Sequence, residues 1–431
     1  MYIPNNLIVK KIDDDEYLLI NNISGNIDIA NEEVALALKD SNMDKLYEIE
    51  DKIISTLKDR NYILDTYDGY EKFYNSMYNE VTNEIEKQSP YIFNIVKLNE
   101  NNTITTDLVD KVLTLSEKIA NEDQYGNYEK RIYRLTYESL FLDEDIDVLK
   151  YIIDKLKSKN ERLEIVCNDN INDTAIILLG NNYQHIACVQ IAIDAAKILN
   201  STSNQDNPLK VIDDLLLKKL EVNLKINFDV NSINNIDEIN DFIKKMDWKN
   251  NGSFFVTLAR SKNLYSDLEL KETKFLEKLE PLFFKDKSAN TTYRVADIEL
   301  LAHLHRSIKG QQSPLISYPL FSFSEATDGR QFIFTPSGQI YTNENVVGIN
   351  ELSIGNLDNE LQIDLEKYYE WKHRKTINMA KCKECEIQLF CGGGEPLDSY
   401  TLYKNIHEPA CSNRKSIINE YIETLIDKGE I

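Results

Sequence analysis

Residues Cys382-Lys383-Glu384-Cys385-Glu386-Ile387-Gln388-Leu389-Phe390-Cys391-Gly392-Gly393-Gly394-Glu395-Pro396, with one more cysteine at Cys411, say most about this chain. A C-x2-C pair in a tight turn brings two thiols to one centre. Two further thiols complete a four-sulfur set, which suits a tetrahedral zinc ion or an iron–sulfur cluster. Cys382, Cys385, Cys391 and Cys411 are therefore the candidate metal ligands. Gly392, Gly393 and Gly394 let the backbone approach closely. Their N–H groups are candidates to donate to thiolates or cluster sulfurs as a nest. The competing readings are four free buried thiols and a disulfide pair. Clustering in an otherwise Cys-poor chain argues against the first, and a reducing compartment against the second. Gly394-Glu395-Pro396 reads as the start of a helix in preference to a ligand-binding turn.

The whole chain has 431 residues, 6 Cys and 14 Gly. There is no cysteine before Cys167, and Cys167 and Cys188 sit in strand-like segments as small buried hydrophobes. The length implies two or three domains with cores of their own. Net charge is −23, from 49 Lys+Arg against 72 Asp+Glu. This argues against a nucleic-acid surface or an anionic membrane as partner. No apolar run approaches the ~18 residues of a membrane span. Met1 to Asn6 shows neither a basic nor an apolar leader region, so the expected setting is cytoplasmic with reduced thiols. No P-loop, GxGxxG, GxSxG or HExxH motif is present. His303 and His305 stand two apart, on different faces of a helical stretch, and read as ordinary histidines. His407, four residues before Cys411, is a lesser candidate as a ligand or as a partner to one.

The alternation of patterns gives an α/β fold. Leu7–Val9 and Tyr17–Ile20 read as strands, and 31–39 and 46–58 as helices, with Asn31 as an N-cap and Tyr62–Leu64 closing a winged-helix-like outline. Six further strands are expected at 91–96, 131–136, 163–167, 186–191, 222–228 and 254–258. Helices are expected at about 106–120, 143–158, 207–219 and 235–246. Such alternation predicts a parallel sheet covered by helices, as an open partial barrel or a doubly wound sheet. Residues 264–310 read as helical, 330–345 as a β-hairpin turning at Pro336-Ser337-Gly338, and 412–428 as a final helix capped by Ser412. The implied domains are 1–80, 81–262 and 263–431, with a Cys-rich core at 330–431.

The C-terminal segment resembles the SPASM domain, the extension that carries auxiliary iron–sulfur clusters in radical SAM peptide-modifying enzymes. Gly338-Gln339-Ile340-Tyr341 and Ile354-Gly355-Asn356-Leu357 resemble the start of that domain. Val189–Asp194 and Val222–Asp229 resemble the fourth and fifth strands of the radical SAM barrel, and residues 1–64 resemble its small peptide-recognition domain, similar to the PQQ-precursor chaperone. The resemblance implies a degenerate radical SAM-like partial (β/α)6 barrel with a winged-helix-like N-terminal domain and a C-terminal SPASM domain.

The departures from that family change what is expected. Its C-x3-C-x2-C after the first barrel strand is missing: Tyr91–Lys97 carries no cysteine, and neither does any other residue before Cys167. Where the family has Gly-Gly-Glu-Pro, this chain reads Thr136-Tyr137-Glu138-Ser139. Radical chemistry on S-adenosylmethionine is thereby excluded, and no catalytic residue is assigned. Of the family's two auxiliary sites, one has lost cysteines to Asn343 and Glu395, whereas Cys382, Cys385, Cys391 and Cys411 match the other in full. The resemblance therefore implies one [4Fe-4S] cluster, with zinc as the alternative. It further implies a non-catalytic partner that binds a ribosomally made precursor peptide and works with a peptide-modifying enzyme or transporter. An auxiliary electron-transfer or peptide-modifying enzyme and a zinc-stabilised scaffold are the alternatives.

Overall fold

A computed structural model describes residues 1–99, 102–122, 131–137, 143–168, 171–201, 209–246, 248, 251–260, 270–285, 293–296, 301, 304–305, 308, 329–357, 362–411 and 414–431. Glu138, Ser139, His303 and Ser412, singled out above, lie outside them.

The chain opens with an antiparallel sheet of three strands, β1 (Leu7–Lys11), β2 (Glu16–Asn21) and β3 (Asn26–Asn31), in the order β1-β2-β3. Three helices come next: α1 (Glu32–Lys39), α2 (Met43–Glu48) and α3 (Asp51–Asp59). Asn31 caps α1, its side chain accepting from the Val34 N–H. Three expectations change here. β3 is an additional strand, because Asn-Ile-Asp-Ile-Ala-Asn is polar and marks a strand only by its alternation. The single helix expected over 46–58 is two helices, broken at Ile49, whose ψ of 145° is extended. Tyr62–Leu64 forms no strand beyond one bridge between Tyr2 and Leu64. The long helix α4 (Tyr67–Gln88) then leads into the main sheet.

The main sheet has 11 strands among the described residues. β4 (Tyr91–Lys97), β5 (Arg131–Tyr137), β6 (Leu163–Asn168), β7 (Ile186–Asp194), β8 (Val222–Phe228), β9 (Phe254–Arg260) and β10 (Tyr293–Ala296) lie side by side in sequence order, and every neighbouring pair is parallel. A doubly wound sheet reverses its strand order partway. This one does not, so successive right-handed crossovers place the helices on one face, as in an arc of barrel. Those helices are α5 (Thr106–Glu122), α6 (Asp143–Ser158), α7 (Asp173–Asn181), α8 (Ala195–Ser201), α9 (Lys210–Leu217), α10 (Ile236–Lys245) and α11 (Glu272–Lys285). Residues 264–310, expected to be helical, hold α11 and then β10 among the described residues: a four-residue strand, Tyr-Arg-Val-Ala, is too short to announce itself.

One-sided winding sorts the strand residues. Phe93, Ile95, Leu135, Ile165, Val189, Ile191, Leu224, Ile226, Val256 and Leu258 are buried in one core with apolar residues of the helices. The opposite face carries Asn94, Arg134, Glu164, Gln190, Asn223 and Thr257. They are joined across strands: Thr136 to Asn94 at 2.9 Å, Arg134 to Glu164 at 2.9 Å, Asn223 to Gln190 at 2.7 Å and Thr257 to Asn223 at 2.9 Å. A parallel sheet usually buries apolar residues on both faces. Here the face opposite the helix-packed core instead carries these hydrogen-bonded polar residues.

The C-terminal region extends this sheet. β11 (Gln331–Phe334) pairs parallel with β4, and β12 (Gln339–Tyr341), β13 (Gly355–Asn356) and β14 (Gln362–Ile363) continue it antiparallel. The hairpin turns at Gly338, whose φ of 81° favours glycine. The helices α12 (Leu365–Lys372), α13 (Ala380–Lys383), α14 (Gln388–Cys391), α15 (Pro396–Tyr403) and α16 (Arg414–Asp427) complete the chain. Among the described residues no helix is long and apolar enough to cross a membrane.

Candidate metal centre

Cys382 lies in the short helix α13, and the Cys385 N–H bonds back to the Cys382 carbonyl at 3.0 Å, which closes the tight turn between the pair. The Gln388 N–H bonds to the Cys385 carbonyl at 3.1 Å and starts α14, which ends at Cys391. The chain then turns through Gly392, Gly393 and Gly394, all in the left-handed region at φ 58°, 81° and 79°. Gly394 also meets another segment. A Cβ there would lie 2.8 Å from the Ala410 carbonyl oxygen, so glycine is what admits the Pro409-Ala410-Cys411 segment beside the turn.

The result is one cavity of about 420 Å³ lined by Cys382, Cys385, Cys391 and Cys411 together. All four are free thiols, Cys382 buried and Cys411 at the exposed rim. Burial pushes the Cys382 thiol up to about 12, and the neighbouring Cys391, Cys411 and Cys385 add to the shift. Burial also raises Cys385 and Cys411. These three thiols thus resist ionisation beside one another, and a bound cation would reverse that. Lys381, Arg414 and Lys415 supply positive charge at the cavity wall. Among the described residues no group of three or more His, Cys, Asp or Glu side chains is drawn together closely enough to hold a metal ion as placed.

Of the three glycines expected to form a nest, Gly393 lines the cavity. The Gly392 N–H is bound to the Gln388 carbonyl at 3.0 Å and the Gly394 N–H to the Cys391 carbonyl at 3.2 Å. Both of these donors close the chain's own turn. Gly394-Glu395-Pro396 is a helix start, with Pro396 at the first helical position of α15. His407 lines a separate cavity with Trp371, Glu370 and Lys404. His305 is buried, with Nδ1 2.5 Å from the Tyr421 hydroxyl. Cys167 is buried in the main core, and burial pushes the Cys188 thiol up to about 12.

Asn343 and Glu395, far apart in sequence, meet: Asn343 Nδ2 donates to Glu395 Oε1 at 3.2 Å, with both side chains buried. Arg374, fully buried, lies behind the glycine turn, donating to the Ile406 carbonyl at 2.6 Å, to Ser399 Oγ at 3.1 Å and to the Gly393 carbonyl at 3.3 Å. Its Nη1 has no hydrogen-bond partner among the described residues. Burial pushes it down to about 10, against the pull of Glu395, Cys391 and Cys382, so it stays a cation at neutral pH. Sequence reading misses Arg374. A lone Arg after Trp371-Lys372-His373 gives no signal of burial.

At the C-terminal end of β4, Lys97 Nζ contacts Asp145 Oδ1 at 2.8 Å and Oδ2 at 2.9 Å, with side-chain exposures of 0% and 1%. The Lys97 ammonium also lies 5.9 Å from the centre of the Tyr137 ring, at the end of β5. Ends of parallel strands are where such sheets ordinarily take ligands.

No family model matches the sequence, and no curated protein does. Solved structures match by fold. SuiB of Streptococcus suis aligns over 96% of this chain and 99% of its own, at TM-score 0.50 and 12% identity. SuiB bound to S-adenosylmethionine aligns over 95% of this chain and 99% of its own, at TM-score 0.54 and 12% identity. Native anSMEcpe with bound AdoMet and the Cp18Cys peptide aligns over 79% of this chain and 99% of its own, at TM-score 0.52 and 14% identity. At these identities the likeness is one of fold.

Proposed function

We propose that this chain is a non-catalytic partner in the maturation of a ribosomally made peptide, built on a radical SAM/SPASM-type frame that has kept one metal centre and lost the chemistry of S-adenosylmethionine. One contrast carries the reading. Four of the six cysteines line a single cavity, whereas the end of the first parallel strand holds the buried Lys97–Asp145 pair and no thiol. The fold relatives crystallised with S-adenosylmethionine, one of them also with a peptide, lend the frame its context. Asn343 and Glu395 support it further. They stand where the resemblance puts cysteines of the lost auxiliary cluster, and they touch.

Cys382, Cys385, Cys391 and Cys411 would hold the centre. The C-x2-C pair with two further thiols, spaced as in the family's cluster-binding segment, is the ground for reading a [4Fe-4S] cluster before a single zinc ion. With four cysteine ligands such a cluster has no open metal position, so it supplies electron storage or rigidity and not substrate activation. The peptide leader would add to the free edge of β3, where Ile29 is 58% exposed and no further strand pairs among the described residues. The polar face of the sheet would take the remainder of the peptide, with a modifying enzyme or transporter as the second partner.

Anaerobic purification with iron, sulfide and zinc analysis tests the centre. About four irons per chain is expected, and one zinc without sulfide would move the reading to a zinc-held scaffold. Calorimetry with the precursor peptide encoded beside this chain tests the role, and absence of binding to the full-length protein overturns it.

A further inference from the structure

The N-terminal unit is seated on the segment between the second and third cysteines. Asn6 Nδ2 donates to Gln388 Oε1 at 3.1 Å, and Asn22 Nδ2 donates to the Glu386 carbonyl. The Tyr70 hydroxyl, on α4, donates to Asn6 Oδ1. Ile23, Tyr70, Tyr74 and Leu389 form a small buried core of their own. Gln388 Nε2 donates onward to Thr376 Oγ1 at 3.3 Å, and Asn6, Gln388 and Thr376 are all buried.

Gln388 therefore faces two ways. Its backbone N–H binds the Cys385 carbonyl, and its carbonyl receives the N–H of Gly392, next to Cys391. Its side chain belongs to the N-terminal seat. It opens the four-residue helix α14, which is far below the length that holds itself in water. The shape of α14 is thus set by what fixes its ends and its outer face.

We propose that Gln388 is a positioning residue that couples the four-cysteine centre to the seat of the N-terminal unit, so that filling the centre locks residues 1–88 onto the Cys385–Cys391 segment. The inference rests on the four cysteines being a metal centre. Ligand-bound metal fixes both ends of α14, and metal-binding free energy appears as folding free energy of the segment it orders. Partners that hold the ligand-bearing segment act back on the centre in the same way.

The test compares full-length protein, metal-free and anaerobically reconstituted with iron and sulfide, by hydrogen–deuterium exchange and by the rate of iron loss to a chelator. In the native sequence, filling slows exchange around Asn6–Ile23 and Tyr67–Tyr74. In Gln388→Ala the centre still fills, but the slowing is lost and iron leaves ~10–100-fold faster. Asn6→Ala, which leaves the cysteine segment intact, gives the same result and carries the test where Gln388→Ala fails to fold. Filling that leaves N-terminal exchange unchanged, or equal slowing in variants and parent, overturns the coupling while leaving the metal centre standing. A native protein that retains neither iron nor zinc overturns both.

Discussion

Among single residues, the thiols make the sharpest statement. The Cys382 thiol is raised from 9.0 to about 12, chiefly by burial. A group raised on folding stabilises the fold fully below its unfolded value, and loses that contribution as pH climbs through its folded value. Metal-free protein is therefore expected to lose stability between pH 9 and about 12 more steeply than Cys382→Ser, compared by denaturation midpoints at each pH. Loading works in the opposite sense: the metal must displace these protons, so iron or zinc uptake falls as pH is lowered. The glycine turn gives a second expectation of this kind. Gly394→Ala must hold an alanine at φ 79° with its Cβ 2.8 Å from the Ala410 carbonyl oxygen. The left-handed backbone alone costs ~1–2 kcal/mol. The clash adds to this and moves the segment bearing Cys411, so lost stability should come with lost metal. Asn343→Ala should cost about 1–3 kcal/mol in a denaturant titration, because it removes a donor from a buried carboxylate.

Among the elements, the same physics explains what the sequence shows and what it hides. The helices over 143–158 and 235–246 are legible because each carries an apolar face at helical spacing, Leu149, Ile152, Ile153 and Leu156 in one, Ile236, Ile239 and Ile243 in the other. The six strands β4 to β9 are legible as apolar runs. Neither signal says that their polar residues share one face of the sheet, since that depends on strand order and register, a long-range property. The four cysteines are legible by spacing, but the buried Arg374 behind them is not, because only the fold brings Ile406, Gly393 and Ser399 to it. β3 escapes notice because an edge strand, paired on one side only among the described residues, needs few apolar residues, and Ile29 is exposed on it. Ile29→Lys should thus leave the thermal transition within about 0.5 kcal/mol of the parent, as for other surface changes. Calorimetry should show weakened binding of the peptide leader. Unchanged affinity would remove β3 as the docking edge.

Across the whole molecule, the parallel strands β4 to β10 end on one side of the sheet, and a buried ion pair stands at that end of β4. Lys97 and Asp145 are both inaccessible there, joined by contacts of 2.8 and 2.9 Å. Asp145 sits in the first turn of α6, where the helix dipole favours a carboxylate. Tyr137 closes the third side, and burial first, then the charges of Asp145 and Cys167, push its hydroxyl well above the usual range. A buried pair of this kind need not stabilise the fold relative to apolar residues of the same volume, yet breaking it is costly. Lys97→Met takes the ammonium away from a buried Asp145 and should cost about 3–5 kcal/mol. Lys97→Met combined with Asp145→Leu should recover most of that loss, since neither charge of the pair then remains. If the pair is a plug in a barrel that no longer takes S-adenosylmethionine, the double variant keeps its peptide affinity and its metal content, read by calorimetry and metal analysis. If both fall together while the fold is intact, the pair is part of a working site, and the barrel end is not closed but occupied in another way.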